Sequence, residues 1–502
     1  MDYVKHPLIA ENSIEARAYQ EAVLGTAVKS HTLCVLPTGL GKTNIAIMLA
    51  AHRLEKHPGS RVLVMAPTRP LVNQHHRTFL KSMKIPEEEM VAVTGFIKPE
   101  ERGNLYKKTL VFATPQVIEN DLRSGVLSLN EFSFLVIDEA HHSIGGYAYP
   151  YVAKAYLQQS RFPRILALTA SPGGTAEKIQ EIKENLGIES VEIRTDEDQD
   201  VTPWIKEKQS DWVYVELPES FLQIKKHLDE AIEERAKRLQ GMGFLKGRRP
   251  SRRAFLELQA SMQVSIGRGH KAAFGVSSIV AQAIKLEHAL GLLETQGITV
   301  LEKYWNKLKG DQTAAAKNLL KDQKVSNAIF LSHELFESGS RHPKIGKLCQ
   351  IVDGQFRQKP FSKIIIFANY RESVKEIVSC LKNIEGARPI DFVGQKEGLT
   401  QKEQIQRISD FKDGVYNALV GTSVSEEGLD IPAMDLAIFY EPVPSEIRSI
   451  QRRGRVGRQK VGRVIFLITR RTRDEAYFWS AQNKEKRMHK TLYRMRRKQF
   501  EN

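Results

Sequence analysis

The sequence predicts an α/β protein, with two parallel-sheet domains and an all-α domain inserted between them. Three observations carry that prediction. Short apolar runs alternate with amphipathic stretches from Thr32 to Thr169, and the same rhythm returns from Lys363 to Thr469. Between the two, over 205–342, apolar residues recur at helical spacing with few strand-like runs.

Each element has its own signal. "TLCVL" (32–36), "RVLVMA" (61–66), "LVFAT" (110–114), "FLVID" (134–138) and "ILALT" (165–169) read as strands buried on both faces. Amphipathic segments such as "NIAIMLAAHRLEKH" from Asn44 separate them, as crossover helices on a parallel sheet require. In the middle, "ESFLQIKKHLDEAIEERAKRLQ" and "SSIVAQAIKLEHALGLLETQG" have helical periodicity. "KIIIFA", "IDFVG", "NALVGT", "DLAIFY" and "RVIFLIT" then supply a second set of strands. From Thr472 the chain reads as a basic helix in which Phe478 and Trp479 pack rather than stack on bases. The division expected is 1–204, 205–342, 343–471 and 472–502.

At 502 residues the chain is too long for one compact domain. Lys and Arg number 75 against 59 Asp and Glu, a net charge of +16 that suits a polyanionic partner. Cys34, Cys349 and Cys380 are few and far apart, so neither a disulfide framework nor a zinc site is read from them. The start, "MDYVKHPLIAENSIEARAYQ", lacks the apolar run of a signal peptide, and no stretch approaches the length of a membrane span. The expectation is a soluble, cytoplasmic protein in a reducing setting.

"LPTGLGKT" (36–43) follows a predicted strand and opens a predicted helix, the setting of a phosphate-binding loop. Thr38, Gly39 and Gly41 shape a loop whose backbone N–H groups cradle phosphates. Lys42 reaches the β and γ phosphates, and the Thr43 hydroxyl holds Mg²⁺. The first position of the general pattern is Leu36 here rather than glycine. "FLVIDEAHH" then brings Asp138 and Glu139 to the carboxyl end of a strand. Asp138 is expected to bind Mg²⁺ through water, and Glu139 to polarise the water that attacks ATP. A plainer reading makes both residues a helix cap. His141 is read as a hydrogen-bonding link rather than a metal ligand, because no ligand cluster surrounds it.

The second sheet has no such loop, since "NYRES" follows "KIIIFA". It does carry "QRRGRVGR" (451–458), from which Arg455 and Arg458 are candidates to neutralise charge developing on ATP bound by the first sheet. "KGRRPSRR" (246–253) places Arg248, Arg249, Arg252 and Arg253 in the helical segment, either as phosphate contacts or as a solvated loop.

In order, "RAYQ" (17–20), "LPTGLGKT", "APTRPLVNQ" (66–74), "TG" (94–95), "ATPQ" (113–116), "DEAH" (138–141), "TAS" (169–171), "IIIFANYR" (364–371), "GTSVSEEGLDIP" (421–432) and "QRRGRVGR" resemble the motifs of superfamily-2 DEAH-box helicases. The resemblance implies two RecA-like domains with ATP between them and nucleic acid across their top. It also implies that Gln20 reads adenine, that Thr169 and Ser171 couple hydrolysis to movement, and that Arg69, Thr114 and Thr422 hold strand phosphates. Gly428 and Asp430 would line the ATP side of the cleft, with Gln451 near the phosphates. With the helical insert, the chain is most similar to the archaeal fork-DNA helicase/nucleases and their Fanconi anaemia M-type translocase relatives. There the insert grips DNA like a polymerase thumb. No ERKxxxD nuclease signature is present, so the expectation is the helicase portion or a relative without the nuclease.

The function expected is an ATP- and Mg²⁺-dependent DNA helicase or translocase acting on branched DNA such as replication forks. Two alternatives stand beside it: a double-stranded-RNA-dependent ATPase, because phosphate contacts carry little information about the sugar, and a nucleic-acid-binding scaffold that uses ATP only as a conformational ligand.

Overall fold

The structure is a computed structural model, and it describes residues 2–205, 209–246, 250–270, 272–394, 399–422, 434–441 and 462–500. Among these residues the first domain has strands β1 (Thr32–Val35), β2 (Arg61–Met65), β3 (Met90–Val93), β4 (Leu110–Ala113), β5 (Phe132–Ile137), β6 (Ile165–Thr169) and β7 (Ser190–Ile193). Its helices are α1 (Ala18–Lys29), α2 (Lys42–Lys56), α3 (Arg69–Ser82), α4 (Pro99–Leu105), α5 (Pro115–Arg123), α6 (Ala148–Gln159) and α7 (Ala176–Leu186). The strands form one parallel sheet in the order β3-β4-β2-β5-β6-β1-β7, with an apolar core on each face.

Strand β8 (Gln209–Val215) leads to the helical insert: α8 (Glu219–Gly241), α9 (Arg252–Gly267), α10 (Ala272–Thr295), α11 (Ile298–Gly310), α12 (Ala314–Leu320) and α13 (Gln323–Glu337). The insert closes on its own core around the fully buried Trp305, whose indole N–H donates to Ser332. The second sheet domain follows, with α14 (Pro343–Gln358), β9 (Ile364–Phe367), α15 (Arg371–Leu381), β10 (Pro389–Phe392), α16 (Gln401–Lys412), β11 (Ala418–Gly421), β12 (Leu436–Phe439) and β13 (Arg463–Thr469). The long helix α17 (Arg473–Phe500) comes last. The second sheet is also parallel, in the order β10-β11-β9-β12-β13-β8.

The fold is therefore two parallel sheets with a helical domain between them. Strands β3, β7 and β8 lie outside the predicted set, and each is an edge strand of its sheet. Edge strands bury less, so polar and charged residues interrupt β7 (SVEI) and β8 (QSDWVYV), whereas the short apolar run of β3, MVAV, was legible. Strand β8 also corrects the expected insert boundary at 205. It pairs with β13 from Gln209↔Arg463 to Val215↔Thr469, so the second sheet takes its edge strand from before the insert. Trp212 and Tyr214 of β8 remain 52% and 37% exposed, which is why "QSDWVYV" does not read as buried.

Two further expectations need correction. Cys349 of α14 and Cys380 of α15 are paired as a disulfide, a contact set by helix packing that sequence separation does not reveal. Among the described residues α10 is long and apolar enough by length and composition to cross a membrane. It instead packs against α8, α9, α11 and α12 as the central helix of the insert, so its apolar surface belongs to that core.

Candidate active site

In a parallel sheet every strand delivers its following loop to the same edge, which is where ligand sites form. The order of the first sheet divides that edge into two halves. The neighbours β5, β6 and β1 end at Asp138, at Thr169 and at the 36–41 loop. The neighbours β3, β4 and β2 end at the "TG" pair, at Thr114 and near Arg69. Residues expected to meet ATP and residues expected to meet a nucleic-acid strand thus fall on opposite halves of one edge.

On the first half, Gly41 precedes α2 with φ +76° and Gly39 has φ +91°, both left-handed conformations that favour glycine. A Cβ on Gly41 would stand 2.6 Å from Gln20 Nε2, whereas one on Gly39 would meet open space. Lys42 Nζ donates to the Leu36 carbonyl at 3.0 Å, so the lysine folds back across the loop it belongs to. Gln20 is fully buried, and its Nε2 donates to the Leu40 carbonyl at 3.0 Å. Tyr19 donates to the same carbonyl at 2.8 Å. Gln20 Oε1 is buried and has no partner among the described residues. An acceptor beside an amide donor is what the edge of adenine requires.

Asp138 is the hub of the opposite wall. Its Oδ2 lies 2.7 Å from His75 Nε2 on α3, and its Oδ1 accepts the Glu139 backbone N–H at 2.9 Å. Burial alone would raise this carboxyl. His75, Lys42 and the Glu139 N–H outweigh burial and hold it below the ordinary carboxylate range. Glu139 turns the chain out of β5 with φ +49°, an unusual conformation for a residue with a Cβ. Such strain persists where surrounding structure imposes it, often at functional sites. The turn leaves the Glu139 side chain partly accessible while Asp138 is buried.

His141 Nδ1 lies 3.4 Å from Glu139 Oε2 and 3.2 Å from Thr169 Oγ1. Burial, with His142 alongside and Lys42 nearby, pushes His141 down to about 3 against the opposite pull of Asp138. It is therefore neutral at neutral pH and serves as a hydrogen-bonding link. Thr169 Oγ1 in turn accepts the Ser171 N–H at 3.1 Å. Glu139, His141, Thr169 and Ser171 form one continuous chain of contacts.

The donor set fits a magnesium ion. Asp138 is ionised, its two partners leave carboxylate lone pairs free for a metal-bound water, and the Thr43 hydroxyl stands on the first turn of α2. Among the described residues no group of three or more His, Cys, Asp or Glu side chains is built to hold a metal by protein alone.

On the second half, the Arg69 guanidinium lies 3.8 Å from the centre of the Phe96 ring, which is 70% exposed. Thr114 is buried at the start of α5, and Thr422 is buried at the end of β11. Strand β11 pairs with β9, so Thr422 ends beside the turn that carries Tyr370. Tyr370 faces a groove of about 1030 Å³ between α10, α11 and α15, lined also by Arg252, His288, Lys303, Tyr304 and Lys307. Arg252 enters this groove. Arg253 is instead exposed and pairs with Glu257 on its own helix at 2.7 Å. Arg248 and Arg249 lie outside the described residues, as do Gly428, Asp430, Gln451, Arg455 and Arg458.

Sequence reasoning missed His75, Tyr19 and the groove lysines. "NQHH" on a helical stretch gives no sign that one histidine faces a carboxylate 63 residues on. Lys303 and Lys307 share a helix face at i,i+4 spacing, a signal that was legible.

The chain resembles known proteins along most of its length. Residues 17–179 match the family "DEAD/DEAH box helicase", residues 343–460 match "Helicase conserved C-terminal domain", and residues 220–339 match "Putative ATP-dependent RNA helicase, helical bundle". The chain is 44% identical over 500 residues to "Putative ATP-dependent RNA helicase MJ1505" of Methanocaldococcus jannaschii, covering 98% of this chain and 63% of that protein. It is 33% identical over 497 residues to "ATP-dependent DNA helicase MPH1" of Pyricularia oryzae, covering 94% of this chain and 45% of that one. The crystal structure of the Pyrococcus furiosus Hef helicase domain superposes with a TM-score of 0.75 at 44% identity, over 94% of this chain and 100% of that domain. The chain thus spans about half to two-thirds of the length of these two curated relatives and the whole of the solved domain.

Proposed function

The chain belongs to the superfamily-2 ATP-dependent helicases, in the group of the archaeal Hef helicase domain and the Fanconi anaemia M-type translocases, and we propose that it is a DNA-stimulated ATPase that moves on branched DNA such as replication forks. The observation that supports this reading best is the divided edge of the first sheet. One half gathers Lys42, Asp138, Glu139 and His141, and the other carries Arg69 and Thr114, the residues this reading assigns to a strand.

Within that reading, Gln20 binds adenine, and the N–H groups from Thr38 to Thr43 with Lys42 hold the phosphates. Thr43 and Asp138 hold Mg²⁺, which when bound neutralises phosphate charge. Glu139 orients the attacking water and accepts its proton. Gly428, Asp430 and Gln451 complete the cleft from the second domain, where Arg455 and Arg458 offset charge developing on the transferred phosphoryl group. Hydrolysis reaches Thr169 and Ser171 through His141. Arg69, Thr114 and Thr422 grip one strand, and the insert, through Arg252 with Arg248, Arg249 and Arg253, holds the branch. The setting is inside the cell, with chromosomal DNA.

The name of the Methanocaldococcus relative favours RNA as a second reading. The deciding experiment measures ATP hydrolysis by wild type and Lys42→Ala with single-stranded DNA, duplex, fork and four-way junction, and with their RNA counterparts. The expected result is strongest stimulation by forked DNA and loss of activity in Lys42→Ala. Stimulation by RNA alone would move the assignment to an RNA-dependent ATPase. Fork binding without phosphate release would make the protein a scaffold.

A further inference from the structure

Helix α17 touches all three domains. At its start the Arg473 guanidinium pairs with Glu287 of the insert and donates to the Glu287 carbonyl, while the Arg473 backbone N–H donates to Glu294 at 3.1 Å. The next residue, Asp474, is buried in the second domain. It accepts from the Thr469 hydroxyl at 3.0 Å and forms an ion pair with the buried Lys344. Phe478 adds an apolar anchor in the second core.

The far part of the same helix belongs to the first domain. Met488 and Leu492, 2% and 3% exposed, are members of the core beneath β6 and β7. There the Ser171 hydroxyl donates to Met488 Sδ at 3.3 Å, and Thr491 donates to the Gly174 carbonyl at 3.5 Å. Arg473 and Met488 are separated by fifteen residues of continuous helix, about 22 Å at 1.5 Å per residue.

Ser171 is also the last member of the contact chain that begins at Glu139. We propose that α17 is the rod through which the state of the ATP site reaches the insert, with Met488 as the residue that receives it from Ser171. A turnover that shifts Ser171 moves the far part of α17. A continuous helix held at both ends passes that displacement to Glu287 and Glu294 rather than absorbing it. Met488 is a positioning residue in this scheme, acting on the strand-moving insert and not on ATP.

The inference rests on the helicase reading, and the test separates the two. ATP consumed per base pair opened is measured on forked DNA for wild type, Met488→Ala, Met488→Leu, Arg473→Ala and the Met488→Ala/Arg473→Ala double variant. Met488→Ala and Arg473→Ala, at opposite ends of the rod, are each expected to raise the ratio by about 5-fold with KM for ATP little changed. The double variant is expected to match either single variant, because a rod cut twice transmits no less than a rod cut once. Met488→Leu keeps the apolar contact and is expected to restore a ratio near that of wild type. A ratio in Arg473→Ala within about 2-fold of wild type overturns the proposal, even where Met488→Ala fails to fold. Effects that multiply in the double variant overturn it as well. A wild-type protein that hydrolyses ATP without opening forks would instead count against the helicase reading.

Discussion

His75 and Asp138 lie 63 residues apart in sequence, yet their Nε2 and Oδ2 atoms are 2.7 Å apart and both side chains are buried. The pair ties α3, whose first turn carries Arg69, to the strand end that carries the carboxylates. Removing the imidazole leaves Asp138 buried with one partner fewer. His75→Ala is expected to lower ATPase activity or magnesium affinity about 10- to 100-fold, the usual cost of losing a group that orients a metal-binding side chain. A magnesium titration of ATP hydrolysis checks this, and an unchanged half-saturating concentration and rate would refute it.

Gly41 and Gly39 allow a paired comparison. Both have positive φ, but only at Gly41 would a Cβ collide, 2.6 Å from Gln20 Nε2. Gly41→Ala is therefore expected to raise KM for ATP by about 10-fold or more, because the displacement of Gln20 adds to a left-handed strain of roughly 1–3 kcal/mol that both positions share. Gly39→Ala should have the smaller effect. Equal effects would show that strain, and not displacement of Gln20, decides the outcome.

The groove beside Tyr370 is expected to contact phosphates through Arg252, Lys303 and Lys307. Replacing all three with glutamine should weaken fork binding and reduce the magnitude of the log–log salt slope by about 2–3, close to one for each lost contact. Fork affinity measured from about 50 to 200 mM salt gives the slope, and an unaltered one would take the groove out of the interface.

Glu441 gives a pH-dependent prediction. Burial lifts its carboxyl to about 7, against Lys344, the Ser373 hydroxyl and the Asn369 N–H, with Asp474 adding to the rise. A carboxyl raised in the folded state binds more protons there than in the unfolded chain. Its cost is thus absent below the ordinary carboxyl range, grows as pH rises from there, and is complete above about 7. Glu441→Gln removes that cost, so the variant should gain stability over wild type as pH rises, by up to about 3 kcal/mol. Thermal midpoints of the two proteins at about pH 5 and 8 test it, bracketing the range between the ordinary carboxyl pKa and the shifted one. A constant difference would show that Glu441 titrates normally.

The sequence by itself determined most of the strands and the local half of the candidate ATP site. Buried parallel strands need continuous apolar runs, and a phosphate loop is a contiguous segment, so "LPTGLGKT" and "FLVIDEAHH" carry their chemistry within a few residues. The helical insert was legible because its core-facing residues repeat at helical spacing. Edge strands β7 and β8 were not, since a strand half open to solvent lacks that run, while β3 carries only the four apolar residues MVAV.

Only the tertiary structure decided which distant groups meet. Sheet order placed Arg69 and Thr114 on one half of the edge and Lys42 and Asp138 on the other. Helix packing brought His75 to Asp138, Cys349 to Cys380 and Met488 to Ser171. The physical reason is common to all of these. Backbone pattern is written in neighbouring residues, whereas a side-chain contact across a core depends on how whole helices and sheets pack, and no local spacing records it.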